Sequence, residues 1–306
     1  MAEDIRSYEL VPLSGETLPS FDPGAHISVE APNGELRDYS LINPLEQQDR
    51  YVIAVKREVS GRGGSASIYD TVKTGDTLRI SEPKNHFPLT EDAATHLLIA
   101  GGIGITPILS MVRHLEKVGQ DYRLIYLSRS PQTTAFLEEL SAPHLADKVI
   151  LHFDEGDLDK ALDLAPAIGA WVEGRHLYCC GPQGLMRAVR ATASSWPTAS
   201  VHFEDFGTVA KEAPAEGGGD APFEIEIASN GDVITVGAGE TIVEALARCG
   251  YDVPTSCESG TCGTCLTKLL GGEVEHRDYV LDEEDQKDFL MICVSRSKGG
   301  RLILDI

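Results

Sequence analysis

The sequence predicts a multidomain chain that is β, then α/β, then α+β in character, and three observations carry that prediction. Residues 1–92 are short apolar runs broken by Gly, Pro and Asp, as in a small antiparallel barrel. From residue 93, continuous apolar runs alternate with segments whose apolar residues recur at three- and four-residue steps, the pattern of a doubly wound α/β domain. Past residue 222, an alternating strand, a helix and a loop crowded with cysteine follow a stretch that has no periodicity.

In chain order, residues 27–30, 38–42, 51–55 and 77–81 read as barrel strands. Residues 95–100 form an unbroken apolar run, as a parallel strand buried on both faces requires, and Ile108, Leu109, Met111, Val112 and Leu115 mark the helix that follows. Residues 123–127, 149–153 and 176–180 repeat the strand, and 136–140 the helix. Residues 207–221 are rich in Gly, Ala and Pro and are expected to be a flexible tether. Beyond it, residues 223–228 alternate strictly, Asn230-Gly231 is a hairpin turn, residues 233–236 answer the first strand, and a helix over 241–247 stops at Gly250.

Of 306 residues, 42% are hydrophobic, enough for more than one core. The chain has no run of eighteen apolar residues and its N-terminus has no basic, apolar signal, so a soluble cytoplasmic protein is expected, and a monomer. The net charge of −22 argues against nucleic acid or an anionic membrane as partner, since both select clustered Lys and Arg. Residues 221–306 hold sixteen Asp and Glu against seven Lys and Arg, a net −9, which suits a partner with a basic docking face.

Four of the seven cysteines stand in a pattern with chemical meaning. Cys257, Cys262 and Cys265 follow C-x4-C-x2-C, and Cys293 comes later in the apolar run 290–294, where a buried strand would deliver it. That is the spacing of a plant-type 2Fe–2S loop. A structural zinc site pairs two knuckles of two ligands each, unlike three ligands on one loop and one alone. A disulfide framework belongs to small secreted domains. Gly260 and Gly263 permit the loop to curl around an iron pair. Strand pair, helix, metal loop and closing strand fit a β-grasp domain of ferredoxin type.

Upstream, Gly101-Gly102-Ile103-Gly104-Ile105-Thr106-Pro107 joins a buried strand to a helix, where a parallel sheet presents ligands and a helix N-terminus receives a pyrophosphate. Cys180-Gly181-Pro182 ends another strand and would line the same edge. Either could equally be an ordinary tight turn. In the barrel, Arg37, Tyr39 and Ser40 put a cation, an aromatic and a hydroxyl on one strand, and residues 60–65 offer N–H groups and hydroxyls to a phosphate. Alone, these read more readily as a surface salt bridge and a hairpin loop.

Taken together, Arg-x-Tyr-Ser, Gly-Gly-Ile-Gly-Ile-Thr-Pro, Cys-Gly-Pro and Cys-Glu-Ser-Gly-Thr-Cys-Gly-Thr-Cys resemble the phthalate dioxygenase reductase family, reductase components of Rieske non-haem iron oxygenases within the ferredoxin–NADP⁺ reductase superfamily. The resemblance covers nearly the whole chain and the motifs fall in the family's order. It implies a flavin-binding barrel over 1–92, a nicotinamide-nucleotide domain over 93–206, a linker over 207–221 and a ferredoxin domain over 222–306. It further implies FMN, with FAD less favoured, a 2Fe–2S cluster on Cys257, Cys262, Cys265 and Cys293, and NADH as donor. By the same resemblance Arg37 contacts the flavin phosphate, Tyr39 packs along its ring, and Ser40 lies near its reactive nitrogen. Ala54, Val55, Lys56, Gly63, Gly64 and Ser65 complete the cradle, Thr106 and Cys180 flank the nicotinamide, and Phe206 returns an aromatic to the flavin. The nucleotide would use Gly101, Gly102, Gly104, Thr106, Pro107, Ser128, Arg129, Cys180, Gly181 and Pro182. Ser40 and Cys180 are the expected catalytic alignment groups, and hydride transfer asks for no general acid or base.

Two departures from the family pattern stand out. The barrel's first strand looks absent, because members usually carry a strand ahead of residues 4–10. Ser128-Arg129-Ser130 stands where an acidic residue would favour an unphosphorylated ribose, so NADPH is open beside NADH. Two rival readings are an iron–sulfur redox sensor, which needs no nicotinamide site, and a stand-alone reductase of a small molecule.

Overall fold

A computed structural model describes residues 1–59, 63–206, 220–255, 260–261, 263–281 and 284–306. The expected tether residues 207–219, the phosphate-loop residues Ser60 to Arg62, and Cys257 and Cys262 lie outside the described residues. The chain divides into two compact units, Met1–Glu204 and Asp205–Ile306.

The first unit begins with two antiparallel ribbons. β1 (Ile5–Leu10) and β2 (His26–Glu30) are followed by β3 (Leu36–Ser40), which pairs with β2, and β4 (Tyr51–Lys56), which pairs with β1. In β4 Tyr51, Ile53 and Val55 recur at every second position and enter one core with Ile27, Val29, Leu41 and Ile68. Burying an aliphatic side chain of this size contributes about 2 kcal/mol. The strand expected over 77–81 is not formed. The segment runs beside β2 through single bridges, Val29 to Ile80 and His26 to Lys84, whose registers differ by one residue. Pro83 lies within that slip, and a residue without an N–H cannot carry a ladder through it. Where residues 60–65 read as a hairpin loop, Gly64 opens a helix, α1 (Gly64–Thr71), which closes the barrel core with Ile68.

The same unit continues as a five-stranded, wholly parallel sheet: β5 (Thr95–Gly101), β6 (Tyr122–Ser128), β7 (Val149–Phe153), β8 (Arg175–Cys180) and β9 (Val201–Glu204). Between the strands run α2 (Ile105–Val118), α3 (Leu137–Leu140), α4 (Leu164–Ile168) and α5 (Gln183–Thr192). The strand order is β7-β6-β5-β8-β9. Sequence order therefore reverses direction between β5 and β8, which is the switch point of a doubly wound sheet. Helix α2 buries Ile105, Ile108, Leu109, Val112 and Leu115, the three- and four-residue steps read in the sequence, and Gly119 ends it at φ +71°. Helix α3 starts one residue later than expected, because Phe136 is left-handed at φ +58°.

Barrel and sheet belong to one unit because contacts tie them. Phe87 stands edge-on to Tyr178 at 5.5 Å, and the Tyr178 hydroxyl accepts from Thr90 N and donates to Thr90 Oγ1. Arg113 of α2 donates to the carbonyl of Ile42 and forks onto Glu139.

The second unit is a β-grasp: β10 (Phe223–Ile227), β11 (Val233–Val236), α6 (Ile242–Arg248), β12 (Leu266–Glu275), β13 (Phe289–Met291) and β14 (Arg296–Leu304), in the order β11-β10-β14-β12-β13. The central pair β10–β14 is parallel and the others antiparallel. Gly231 takes φ +78° in the hairpin. Thr241 and Glu244 form a reciprocal capping box on α6, and Ile242, Ala245 and Leu246 pack onto the sheet. Buried Arg296 donates to the carbonyls of Glu240 and Gly237 and lies over Phe223. Cys293 is not on a strand. It sits in the turn after the three-residue β13, where Val294 N and Ser295 N both return to Met291 O.

Candidate functional site

At the carboxyl ends of β5 and β8 two small-residue turns meet. An added Cβ on Gly104 would fall onto the carbonyl oxygen of Cys180 and 2.8 Å from Gly181 N. One on Gly181 would lie 2.9 Å from the Gly101 Cα, and one on Gly101 would lie 2.7 Å from both Leu185 Cδ2 and Pro182 Cδ. Three of these glycines are therefore required by turn-to-turn packing. Gly102 differs: it is left-handed at φ +54° and an added Cβ would meet nothing within 4 Å. This is the place on the turn where a ligand can approach the backbone.

The turn is fixed locally. Thr106 is buried and its Oγ1 donates to Ile103 O at 3.1 Å, and Pro107 is buried in the first turn of α2. Cys180 is 1% exposed on the last position of β8, opposite Ala100. Burial pushes the neighbouring Cys179 thiol well above its usual range. Of the expected nucleotide residues on β6, Ser128 turns its hydroxyl inward to Thr134 Oγ1 at 2.6 Å. Arg129 is exposed: its carbonyl accepts from Glu155 N at 2.8 Å, while its side chain makes no hydrogen bond or ion pair among the described residues.

Tyr126 was not singled out from the sequence. It is 1% exposed on β6, opposite Ala100, and its Oη donates to Gly102 O at 3.0 Å. A hydroxyl among aliphatic strand residues is itself a signal, because a buried phenol needs a partner.

On the barrel, Arg37 and Tyr39 are half-buried on β3, and Ser40 is 3% exposed on the opposite face. Tyr39 Oη and Ser40 Oγ are buried and find no hydrogen-bond partner among the described residues. Burial raises the Tyr39 phenol to about 12, against the pull of Arg37. The Arg37 side chain crosses Gly64, where a Cβ would lie 2.8 Å from Arg37 Cγ, so glycine is what lets a guanidinium lie at the N-terminus of α1. Gly63 precedes the helix at φ +80°. A cation beside free helix N–H groups suits a phosphate. Arg37 also pairs with Glu35 at 2.9 Å. Ala54 and Val55 are buried, Lys56 is exposed 3.8 Å from Glu58, and Ser65 Oγ accepts from Glu58 N. Two buried hydroxyls without a partner among the described residues, and a guanidinium at a helix N-terminus, fit a flavin. Phe206 is half-buried and belongs to the second unit.

In the second unit Cys265 and Cys293 are 4% and 2% exposed, and their Sγ atoms stand 3.1 Å apart. That is too far for a disulfide bond. Gly260 and Gly263 have φ +74° and +78°. At Gly260 a Cβ would lie 2.7 Å from Val294 Cγ2 and 3.0 Å from Asp278 Cα. No local pattern of residues points to this floor, where Tyr279 N donates to Gly260 O and Asp278 Oδ1 accepts from Val280 N and Leu281 N. No three metal-ligating side chains converge among the described residues, which exclude Cys257 and Cys262. Two buried thiols from distant segments, brought together beside left-handed glycines, fit a thiolate-held cluster.

Residues 225–298 match the family described as 2Fe-2S iron-sulfur cluster binding domain. Phthalate dioxygenase reductase of Burkholderia cepacia is 44% identical over 307 residues, spanning 100% of this chain and 94% of that protein. The chain belongs to the phthalate dioxygenase reductase family. Within that family, tetrachlorobenzoquinone reductase of Sphingobium chlorophenolicum is 42% identical over 311 residues, spanning 100% of this chain and 95% of that protein. A solved phthalate dioxygenase reductase, described as a modular structure for electron transfer from pyridine nucleotides to 2Fe–2S, superposes with a TM-score of 0.70 at 44% identity. It covers 100% of this chain and 94% of that one. As a phthalate dioxygenase reductase family member the chain is an NAD(P)H-dependent oxidoreductase with a 2Fe–2S domain. None of its helices, among the described residues, is long and apolar enough to cross a membrane.

Proposed function

We propose that this protein takes electrons from NADH and delivers them singly, through FMN and the 2Fe–2S cluster, to an oxygenase component of the Rieske type. The observation that carries the reading is the meeting of Cys265 and Cys293 at 3.1 Å in the core of a unit joined to a nucleotide-type sheet. Flavin accepts a hydride's two electrons and gives them up one at a time, and a 2Fe–2S cluster carries one.

The residues supply placement. Gly102, Thr106, Cys180, Gly181 and Pro182 form the crevice floor at the switch point, and Pro107 holds the start of α2 that faces the pyrophosphate. Arg37, with Gly63, Gly64 and Ser65, takes the flavin phosphate, Tyr39 packs along the ring system, Ser40 lies near its reactive nitrogen, and Ala54, Val55 and Lys56 complete the cradle. Phe206 is the aromatic offered to the flavin. Cys257, Cys262, Cys265 and Cys293 hold the iron. Exposed Arg129 is the group that meets the ribose and admits NADPH beside NADH. The working parts are residues 1–92, 93–206 and 222–306, with 207–221 as linker.

The partner docks through a basic face. Support comes from the charge of residues 221–306, sixteen acidic against seven basic, with Glu284, Asp285 and Asp288 all exposed. The protein works as a cytoplasmic monomer. The quinone named for the Sphingobium relative favours a second reading, direct reduction of a small molecule.

The test is the visible spectrum of the anaerobic holoprotein before and after NADH, with released flavin identified by chromatography. Bleaching of both flavin and cluster bands is expected, followed by rapid turnover only when a one-electron acceptor such as ferricyanide is supplied. A cluster band that NADH leaves intact overturns the proposal, and fast NADH oxidation by quinone alone favours the second reading.

A further inference from the structure

The glycine-rich turn after β5 is held from both sides, and the two holds differ. On the β8 side, Gly101 and Gly104 are pressed against the backbone of Cys180 and Gly181, so this part of the turn cannot shift without moving the neighbouring turn. On the β6 side the hold is polar, Tyr126 Oη to Gly102 O at 3.0 Å. The Gly102 carbonyl also receives the N–H of Ile105 as the chain enters α2. Tyr126 also meets the backbone of Ala135, and on its strand it is flanked by Ile125 and Leu127 and paired with Ala100. Phenylalanine would fill the same volume but take this partner away from the Gly102 carbonyl and from the backbone of Ala135. Burial pushes the phenol above its usual range, so it stays protonated and a donor near neutral pH.

We infer that Tyr126 is a positioning residue for the pyridine nucleotide. By holding the Gly102 carbonyl inward it fixes the Gly102–Ile103 peptide beside a glycine that is left-handed at φ +54°, with the side that lacks a Cβ turned to open space at the switch point. A peptide free to flip would instead point its carbonyl dipole at the incoming phosphates. The hydroxyl thus acts on ligand affinity through the backbone, without touching ligand. This rests on the nucleotide site proposed above, and the experiment separates the two.

Tyr126→Phe and Gly102→Ala are compared with wild type as oxidised holoproteins. The non-reactive analogue tetrahydro-NAD is titrated by calorimetry, and NADH–ferricyanide kinetics are measured in parallel. For Tyr126→Phe the Kd of the analogue and the KM for NADH should rise about three- to tenfold, the range for one hydrogen bond, with kcat and flavin content unchanged. For Gly102→Ala, where a methyl fills the ligand face, both should rise more than tenfold. If Gly102→Ala binds like wild type, the nucleotide does not lie on this turn and the site assignment itself fails. If Gly102→Ala weakens binding and Tyr126→Phe does not, the inference about Tyr126 is wrong. Loss of flavin or a fall in kcat in Tyr126→Phe, at unchanged Kd, would make its role structural and equally overturn it.

Discussion

Lowering the pH should loosen the first unit well before its carboxylates are all protonated, because of His202. This residue stacks on Tyr178 at 4.4 Å and 17°, and its Nε2 lies 3.0 Å from His176 Nδ1. Burial, helped by the charges His176 and His96 would carry, lowers its pKa from 6.5 to about 4. A group depressed in the folded state gives stability that is complete above the unfolded pKa and is lost as pH falls toward the folded one. The window is therefore between about 6.5 and 4. From pH 7.5 to pH 5 the span crossed is about 1.5 pH units, worth about 2 kcal/mol. His96 and His176 are also lowered by burial, so they add to the loss and do not offset it. The assay is urea unfolding followed by tryptophan fluorescence, since the two tryptophans, Trp171 and Trp196, both lie in this unit. His202→Phe keeps a ring on Tyr178 and removes the titration. Its stability should change between pH 7.5 and 5 by about 2 kcal/mol less than that of wild type. Parallel pH curves for the two proteins would refute the reasoning.

Two further substitutions probe the packing of the sites. Gly104→Ala puts a methyl onto the carbonyl oxygen of Cys180, backbone against backbone with no rotamer to yield. It should lower stability by about 3 kcal/mol and raise the KM for NADH, read by unfolding and by ferricyanide turnover. Gly260→Ala combines a left-handed φ of +74° with contacts to Val294 and Asp278. Its cost of about 2–3 kcal/mol falls on the cluster loop, so iron per protein and the cluster's visible band should drop while flavin content holds.

What could be read in the sequence followed from periods and spacings. The buried run before Gly101, the steps from Ile108 to Leu115 and the C-x4-C-x2-C pattern each lie within a dozen or so residues, where geometry is set by neighbours in the chain. What could not be read arises between distant segments. Gly104 touches a carbonyl 76 residues away in sequence (180 − 104), so its role in packing is invisible locally. Asp278 and Val294 become the floor under Gly260 only when β12 and β13 have paired. The expected strand over 77–81 failed on one proline in the segment beyond it, and Cys293 arrives on a turn because β13 spans only three residues. Helix α1 escaped notice because it opens on Gly63-Gly64-Ser65, residues that propensity assigns to loops.

The interlocked turns after β5 and β8 restrict how this sheet edge can change. Gly101, Gly104 and Gly181 each occupy the space a neighbour's side chain would need, so a change at one is tolerated only if another gives way. Arg129 stands at the same edge of the sheet, its side chain exposed and without a hydrogen bond or ion pair among the described residues. Cofactor choice can therefore drift, or be redesigned, at Arg129 while the crevice floor beneath it stays locked.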